Sequence, residues 1–124
     1  PRRPLSPSVP HQIELDAAPF LDGEPLASAL ARFTAFTGPD PLLAGWGRFA
    51  ADLLDTEIGP DSAPFTDLRP TVSRLLRKRA GGLEEAAALL DPTTPPAWTN
   101  GRGGRRIAAL ASVLGAIRTH DDSA

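Results

Sequence analysis

The chain has 124 residues, with 13 basic side chains, 15 acidic side chains and no cysteine, and its formal net charge at pH 7 is −2. This charge balance excludes a uniformly basic nucleic-acid-binding protein, and the absence of cysteine excludes disulfides, thiolate metal ligands and cysteine nucleophiles. The length and the 41% hydrophobic content indicate one small domain with a single core.

The composition also gives expectations about origin and location. All basic residues but one are arginine, and alanine, glycine and proline are abundant, which is typical of a high-GC bacterial genome. No apolar run reaches the roughly 18 residues of a membrane-spanning helix. Arg2 and Arg3 are followed by prolines rather than by the apolar segment of a signal peptide. A cytoplasmic protein without membrane contact is therefore expected.

The first predicted element is an extended N-terminal arm over residues 1–20. Prolines recur there at positions 1, 4, 7, 10 and 19, and proline lacks the amide proton that helix interiors and central strands need. Within the arm, Ile13 and Leu15 alternate with polar residues. This alternation indicates a short strand or an ordered strip that packs on the domain.

Two helices are predicted after the arm, over residues 22–38 and 40–60. The second is expected to begin at Asp40 as its N-cap, with Pro41 in its first turn. Apolar spacings of three and four residues predict a buried stripe on each helix. The stripe of the first helix consists of Leu26, Leu30 and Phe33, and that of the second consists of Leu42, Trp46, Phe49, Leu53 and Leu54.

Three further helices are predicted over residues 66–82, 83–91 and 104–120, where Gly81 and Gly82 end the first of them and Pro92 follows the second. Strand signals are nearly absent. The predicted fold is therefore all-α: a compact bundle of four to five short helices over residues 21–119. A flexible C-terminal tail is expected over residues 120–124.

Two groups of basic residues are candidate binding sites for an anion or an acidic partner. The first group lies on the side of the third predicted helix opposite Val72 and Leu75, and the second lies around the start of the last helix. If the groups are neighbours, they can bind phosphates together. The simpler interpretation is a solvated surface that balances the acidic first half. The groups are Arg74, Arg77 and Lys78, and Arg102, Arg105 and Arg106.

The segment of residues 98–107, WTNGRGGRRI, combines the second basic group with three glycines. Glycine-rich loops before a helix can direct amide groups at an anion. The segment lacks the GK[ST] sequence and the preceding strand of a nucleotide-binding loop. We therefore expect a mobile, basic hinge before a buried helix. Trp98 is expected either to cover the core or to stack on a bound base.

The last predicted helix has an apolar side and a side of small residues. The apolar side consists of Ile107, Leu110, Leu114 and Ile117, and the small side consists of Ala108, Ser112 and Gly115. Glycine inside a helix costs up to about 1 kcal/mol, so Gly115 is expected to permit a close helix crossing. The small side either packs within the bundle or forms a surface for self-association.

The sequence indicates neither catalysis nor a cofactor. Both histidines, His11 and His120, lie in the predicted terminal segments, and no metal site or nucleophile–base pair is evident. We predict a non-enzymatic helical module for protein–protein interaction, a regulatory or accessory component of a bacterial system with a protein partner, which includes a homodimer. The alternative is binding of nucleic acid or another polyanion through the basic C-terminal half.

Overall fold

The computed structural model describes residues 6–16, 22–59, 63–93 and 96–123. The chain divides into two compact units, one formed by Asp22–Leu68 and the other by Pro1–Leu21 together with Arg69–Ala124. The first contains two basic and eight acidic side chains, and the second contains eleven basic and seven acidic side chains. We therefore name them the acidic unit and the basic unit.

The described residues are mostly helical, with one small sheet that the all-α prediction missed. None of these helices is long and apolar enough to cross a membrane. In chain order the elements are α1 (Val9–Ile13), α2 (Leu26–Thr37), β1 (Leu43–Gly45), α3 (Phe49–Glu57), β2 (Phe65–Asp67), α4 (Arg69–Leu76), α5 (Leu83–Leu90) and α6 (Gly101–Asp122).

The acidic unit contains a strand–helix–strand arrangement. Strands β1 and β2 are parallel, with Leu43 opposite Phe65, and helix α3 lies between them in sequence, as parallel strands require a long connection. The Phe65 ring lies so close to Gly45 that a Cβ there would be 2.8 Å from the ring. The amide of Gly47 donates to Asp67 Oδ1 at 2.9 Å. These contacts fix the end of β1 against β2.

The predicted helix over residues 40–60 is wrong in its first half. The chain is extended through β1, and Gly47 has a φ of +80°, which a helix cannot contain. Helix α3 therefore begins only at Phe49. The predicted stripe is also displaced, because Leu42 is 87% exposed and Ala51 is the buried residue of α3.

The core of the basic unit is built mainly from alanine. Helices α5 and α6 form its principal helix pair. The largest fully buried side chains are only Val72 and Val113. Small side chains allow helix backbones to approach closely, and the core therefore needs few large residues. Its buried members are Val72, Ala80, Leu83, Ala86, Ala87, Ala108, Ala109 and Val113.

Helix α4 ends at Leu76, five residues before Gly81, where its end was predicted. Arg77 has a φ of +54°, and the amide of Lys78 donates to the Ser73 carbonyl at 3.2 Å. This is the usual left-handed termination of a helix, with arginine in the place that glycine normally takes. The usual glycine signal was absent, and the sequence therefore predicted a longer helix.

The terminal segments also differ from the sequence expectation. In the predicted extended arm, residues 9–13 form helix α1, which tolerates Pro10 because proline fits the first turn of a helix. The predicted strip of Ile13 and Leu15 is ordered, with both side chains half-buried. The remainder of the arm, residues 1–5 and 17–20, lies outside the described residues. At the other end, α6 continues through Asp122, past residue 119.

Two glycines of α6 give opposite predictions for replacement by alanine. A Cβ at Gly115 meets nothing within 4 Å, whereas a Cβ at Gly104 collides with the Thr99 carbonyl. Gly115→Ala should raise the free energy of unfolding by up to about 1 kcal/mol, because alanine favours the helix. Gly104→Ala should lower it. Urea unfolding of both variants measures the difference, and equal effects would contradict the packing described for Gly104.

Candidate functional site

The candidate site is the N-terminal end of α6, because it contains the basic segment that the sequence singled out. The helix begins at Gly101, so Arg102, Arg105 and Arg106 lie in its first turns. The expectation of a mobile hinge over these residues is therefore wrong. Asn100 is the N-cap but makes no side-chain capping bond. The glycines are part of the helix rather than of a loop around an anion.

Two of these glycines make room for neighbouring parts of the basic unit. Gly101 has a φ of +83°, and a Cβ there would lie 2.8 Å from Leu15 and 3.1 Å from the carbonyl oxygen of Ile13. Gly104 is buried beneath Thr99 in the same way. The close approach of the segment after α1 to the start of α6 therefore requires glycine at position 101.

An ion pair joins the N-terminal segment to the same end of α6. Arg105 Nη2 donates to Glu14 Oε1 at 2.7 Å, and Arg105 Nη1 donates to Glu14 Oε2, so the pair is bidentate. Glu14 has a φ of +59°, so α1 ends with a left-handed residue, as α4 does at Arg77. A left-handed backbone is uncommon outside glycine. Here it occurs at the residue whose carboxylate meets Arg105.

This pairing changes the ionisation of both groups. The hydrogen bond from Arg105 lowers the pKa of Glu14 below its ordinary value, with smaller contributions from the charges of Arg105, Arg102 and His11. The hydrogen bond to Glu14 raises the pKa of Arg105 in turn. The chain itself thus supplies a negative group for Arg105, one of the candidate anion-binding residues.

The other two cations of the second group, Arg102 and Arg106, make no such pair with any carboxylate that the structure describes. Among the described residues, no carboxylate lies within ion-pairing distance of Arg102, which is exposed, or of Arg106, which is half-buried. Trp98, which precedes them, is 63% exposed and so does not cover the core. Its amide donates to the Gly104 carbonyl at 3.4 Å.

The first basic group lies elsewhere on the basic unit. Arg74 donates to Thr71 Oγ1 at 3.2 Å, and Arg77 and Lys78 are exposed beyond the end of α4. Leu75, in the middle of this group, lines a groove together with Ser112. At about 1.5 Å of rise per residue, Ser112 lies roughly 10 Å along α6 from Arg105. The part of α4 that carries the first group therefore lies beside a later part of α6 than the one that carries the second group.

The small side of α6 is not one continuous surface. Ala108 is buried in the core, Ser112 is half-buried and Gly115 is exposed. Within the described part of the chain, nothing comes within 4 Å of a Cβ placed at Gly115, so this glycine does not permit a close crossing between the described elements. Because their burial differs, these three residues do not form one packing surface.

Arg105 also lines a cavity of about 200 Å³ between α5 and α6. Ala87 and Ala109 form part of its apolar wall, and Glu84 and Asp91 are the other charged residues there. The described residues contain no group of three His, Asp or Glu side chains that could hold a metal ion. The guanidinium–carboxylate contact that the described residues make at this end of α6 is the pair of Arg105 with Glu14.

Sequence reasoning missed Glu14, the residue that completes this site. It lies 91 positions before Arg105, and no local pattern connects residues so far apart. The available signal was the placement of Glu14 between Ile13 and Leu15, since an acidic residue flanked by apolar residues suits docking on a basic surface.

Comparisons of the chain with protein-family models, curated proteins and solved structures found no match.

The lowered pKa of Glu14 predicts how docking of the N-terminal segment depends on pH. The contribution of the ion pair to docking is fully present above the ordinary carboxyl pKa of about 4.3, and it is lost as the pH falls through the lowered pKa of Glu14. Nuclear magnetic resonance titration of the Glu14 side chain should show this pKa returning towards its ordinary value in Arg105→Gln. Arg106→Gln is the control and should leave the titration unchanged.

Proposed function

We propose that this chain is a non-enzymatic helical module that binds another protein, as a regulatory or accessory component of a bacterial system. The outer side of α3 carries this proposal. Phe49 is 82% exposed and Leu53 is 50% exposed, although both are large apolar residues on a helix. Exposed apolar groups in contiguous positions are typical of sites that bind other proteins.

The orientation of α3 explains why these two side chains lack neighbours. Its inner side faces the sheet, where Ala51 and Leu54 line a small cavity together with Phe65. At about 100° per residue, Phe49 and Leu53 both lie about 160° away from Ala51. They are four residues apart and therefore neighbours on the outer side. Packing within α3 therefore does not explain why positions 49 and 53 hold apolar residues.

The charges around this pair indicate the chemistry of the partner. Helix α3 contains Asp52, Asp55 and Glu57 and no basic residue, while Arg48 at its N-cap pairs with Asp52 at 3.9 Å. The whole acidic unit has six more acidic than basic side chains. A complementary partner presents an apolar surface edged by lysine or arginine. Burial of two such side chains contributes about 1.5–3 kcal/mol each to association.

Site-specific photo-cross-linking tests this proposal. A benzophenone amino acid at position 49, in the full chain inside the producing cells, should give a discrete adduct with one protein. Asp55 lies on another side of α3, and the same amino acid at position 55 is the control. Leu53→Ser should remove the adduct formed at position 49, because it removes half of the apolar pair. No adduct, or identical adducts at positions 49 and 55, would contradict the proposal.

The alternative function, polyanion binding, is favoured by the exposed cations after α4. Among the described residues, Arg77, Lys78 and Arg79 make no ion pair with a carboxylate. Cations at the end of a helix also stabilise its dipole by about 0.3–1 kcal/mol each. A structural reason for these cations therefore exists, whereas none exists for Phe49. This difference is why protein binding is the function proposed first.

Salt-dependent binding distinguishes the two functions. A polyanion-binding protein should bind a nonspecific DNA duplex in 50 mM salt and lose affinity steeply by 200 mM. Replacement of Arg74, Arg77 and Lys78 by glutamine should then reduce the salt dependence, and the same replacement of Arg102, Arg105 and Arg106 tests the other group. Fluorescence anisotropy measures both. Absence of binding in 50 mM salt would exclude this alternative.

A further inference from the structure

The apolar side of α6 is turned away from the core of its own unit. Its four members follow spacings of three, four and three residues, and we name them the α6 seam: Ile107, Leu110, Leu114 and Ile117. Ile107 is 50% exposed and Leu114 is 37% exposed, while Leu110 and Ile117 are half-buried. The sequence indicated that this side would be the packed one. The structure instead buries the side that contains Ala108 and Val113.

The spacing of the α6 seam is that of a helix that pairs with another helix. Alternating steps of three and four residues place apolar side chains along one line on a helix surface, as in two-stranded coiled coils. Position 121 continues this line, and Arg106 lies beside it at the other end. The seam therefore has a basic end and an acidic end.

The charges of α6 are arranged against its own dipole. Arg102, Arg105 and Arg106 lie at the N-terminal end, and Asp121 and Asp122 lie at the C-terminal end, where Arg118 and His120 offset part of their charge. Each such charge costs about 0.3–1 kcal/mol in an isolated helix. Glu14 pairs directly with Arg105 and interacts more weakly with the charge of Arg102. A second helix that runs in the opposite direction compensates both ends, because it brings an acidic end to the basic end and reverses the dipole.

We propose that the α6 seam packs antiparallel against the α6 seam of a second copy of this chain. In this arrangement Ile107 of one copy packs on Ile117 of the other, and Leu110 packs on Leu114. Arg106 then lies opposite His120 of the other helix and one residue from its Asp121. Arg118 falls opposite the uncharged Gly104. The partner is thus a second copy because this helix itself has the complementary charges and the matching apolar spacing.

This proposal adds a self-association surface to the proposed function and does not depend on α3. A chain that dimerises through α6 but gives no adduct at position 49 contradicts only the function proposed for α3. A chain that gives the adduct but remains monomeric contradicts only the dimer.

Introduced cysteines test the antiparallel arrangement directly, because the chain has no cysteine of its own. Ile107→Cys and Ile117→Cys are purified separately and oxidised, alone and after mixing. The antiparallel arrangement predicts a disulfide-linked dimer only in the mixture. Each variant cross-linking with itself would indicate a parallel pair and overturn the proposal, and so would the absence of any disulfide-linked dimer. Circular dichroism verifies that both variants fold.

Sedimentation equilibrium of the full chain provides the second test. The unmodified chain should be dimeric, and Leu114→Asp should shift it to monomer. Leu89→Asp alters an exposed leucine of α5 outside the seam (49% exposed, against 37% for Leu114) and should leave the dimer intact. Arg106→Glu and Asp121→Lys should each raise the dimer Kd, and the double variant should restore it. A monomer at every concentration, or no effect of Leu114→Asp on a dimer, would overturn the proposal.

Discussion

The packing of α5 on α6 through small side chains determines most of the properties of the basic unit. Ala87 and Ala109 line the space between the two helices, and their neighbours Ala86 and Ala108 are buried beside them. Alanine loses little side-chain entropy on burial and permits a close approach, but it also buries little apolar area. Because α6 buries Ala108, Ala109 and Val113, Ile107 and Leu114 on its opposite side are left exposed. The surface proposed for self-association is thus a consequence of how the core is built.

The N-terminal segment is held by a second constraint, which combines shape and charge. Gly101 leaves room for Leu15, and the left-handed backbone at Glu14 accompanies its pairing with Arg105. The ion pair is largely exposed, and exposed pairs contribute little to stability. The position of the N-terminal segment on α6 therefore depends on both features. Gly101 leaves the space that this segment occupies, and the ion pair fixes its orientation.

The division of charge follows the division of the fold. The acidic excess of the first half belongs to the unit that contains the strand–helix–strand arrangement, and the basic excess belongs to the unit that contains α4 to α6. The sequence predicted this asymmetry in outline because charge is a property of composition. It missed the sheet because three-residue strands such as Leu43–Gly45 are too short to show a period. It also placed the end of α4 too late, because Arg77 adopts a conformation that normally requires glycine.

By itself the sequence determined that the chain is mostly helical, where most of the helices lie, and which segments are basic or acidic. These are local properties, set by the spacing of apolar residues and by proline and glycine near the helix ends. Only the tertiary structure decided which side of each helix is buried. Apolar periodicity shows that the two sides of a helix differ in polarity, but it does not show which side packs against another element. Helix α3 exposes Phe49 and buries Ala51, and helix α6 exposes Ile107 and buries Ala108. The pairing of Glu14 with Arg105 was likewise decided only by folding, because it joins residues that no local pattern relates.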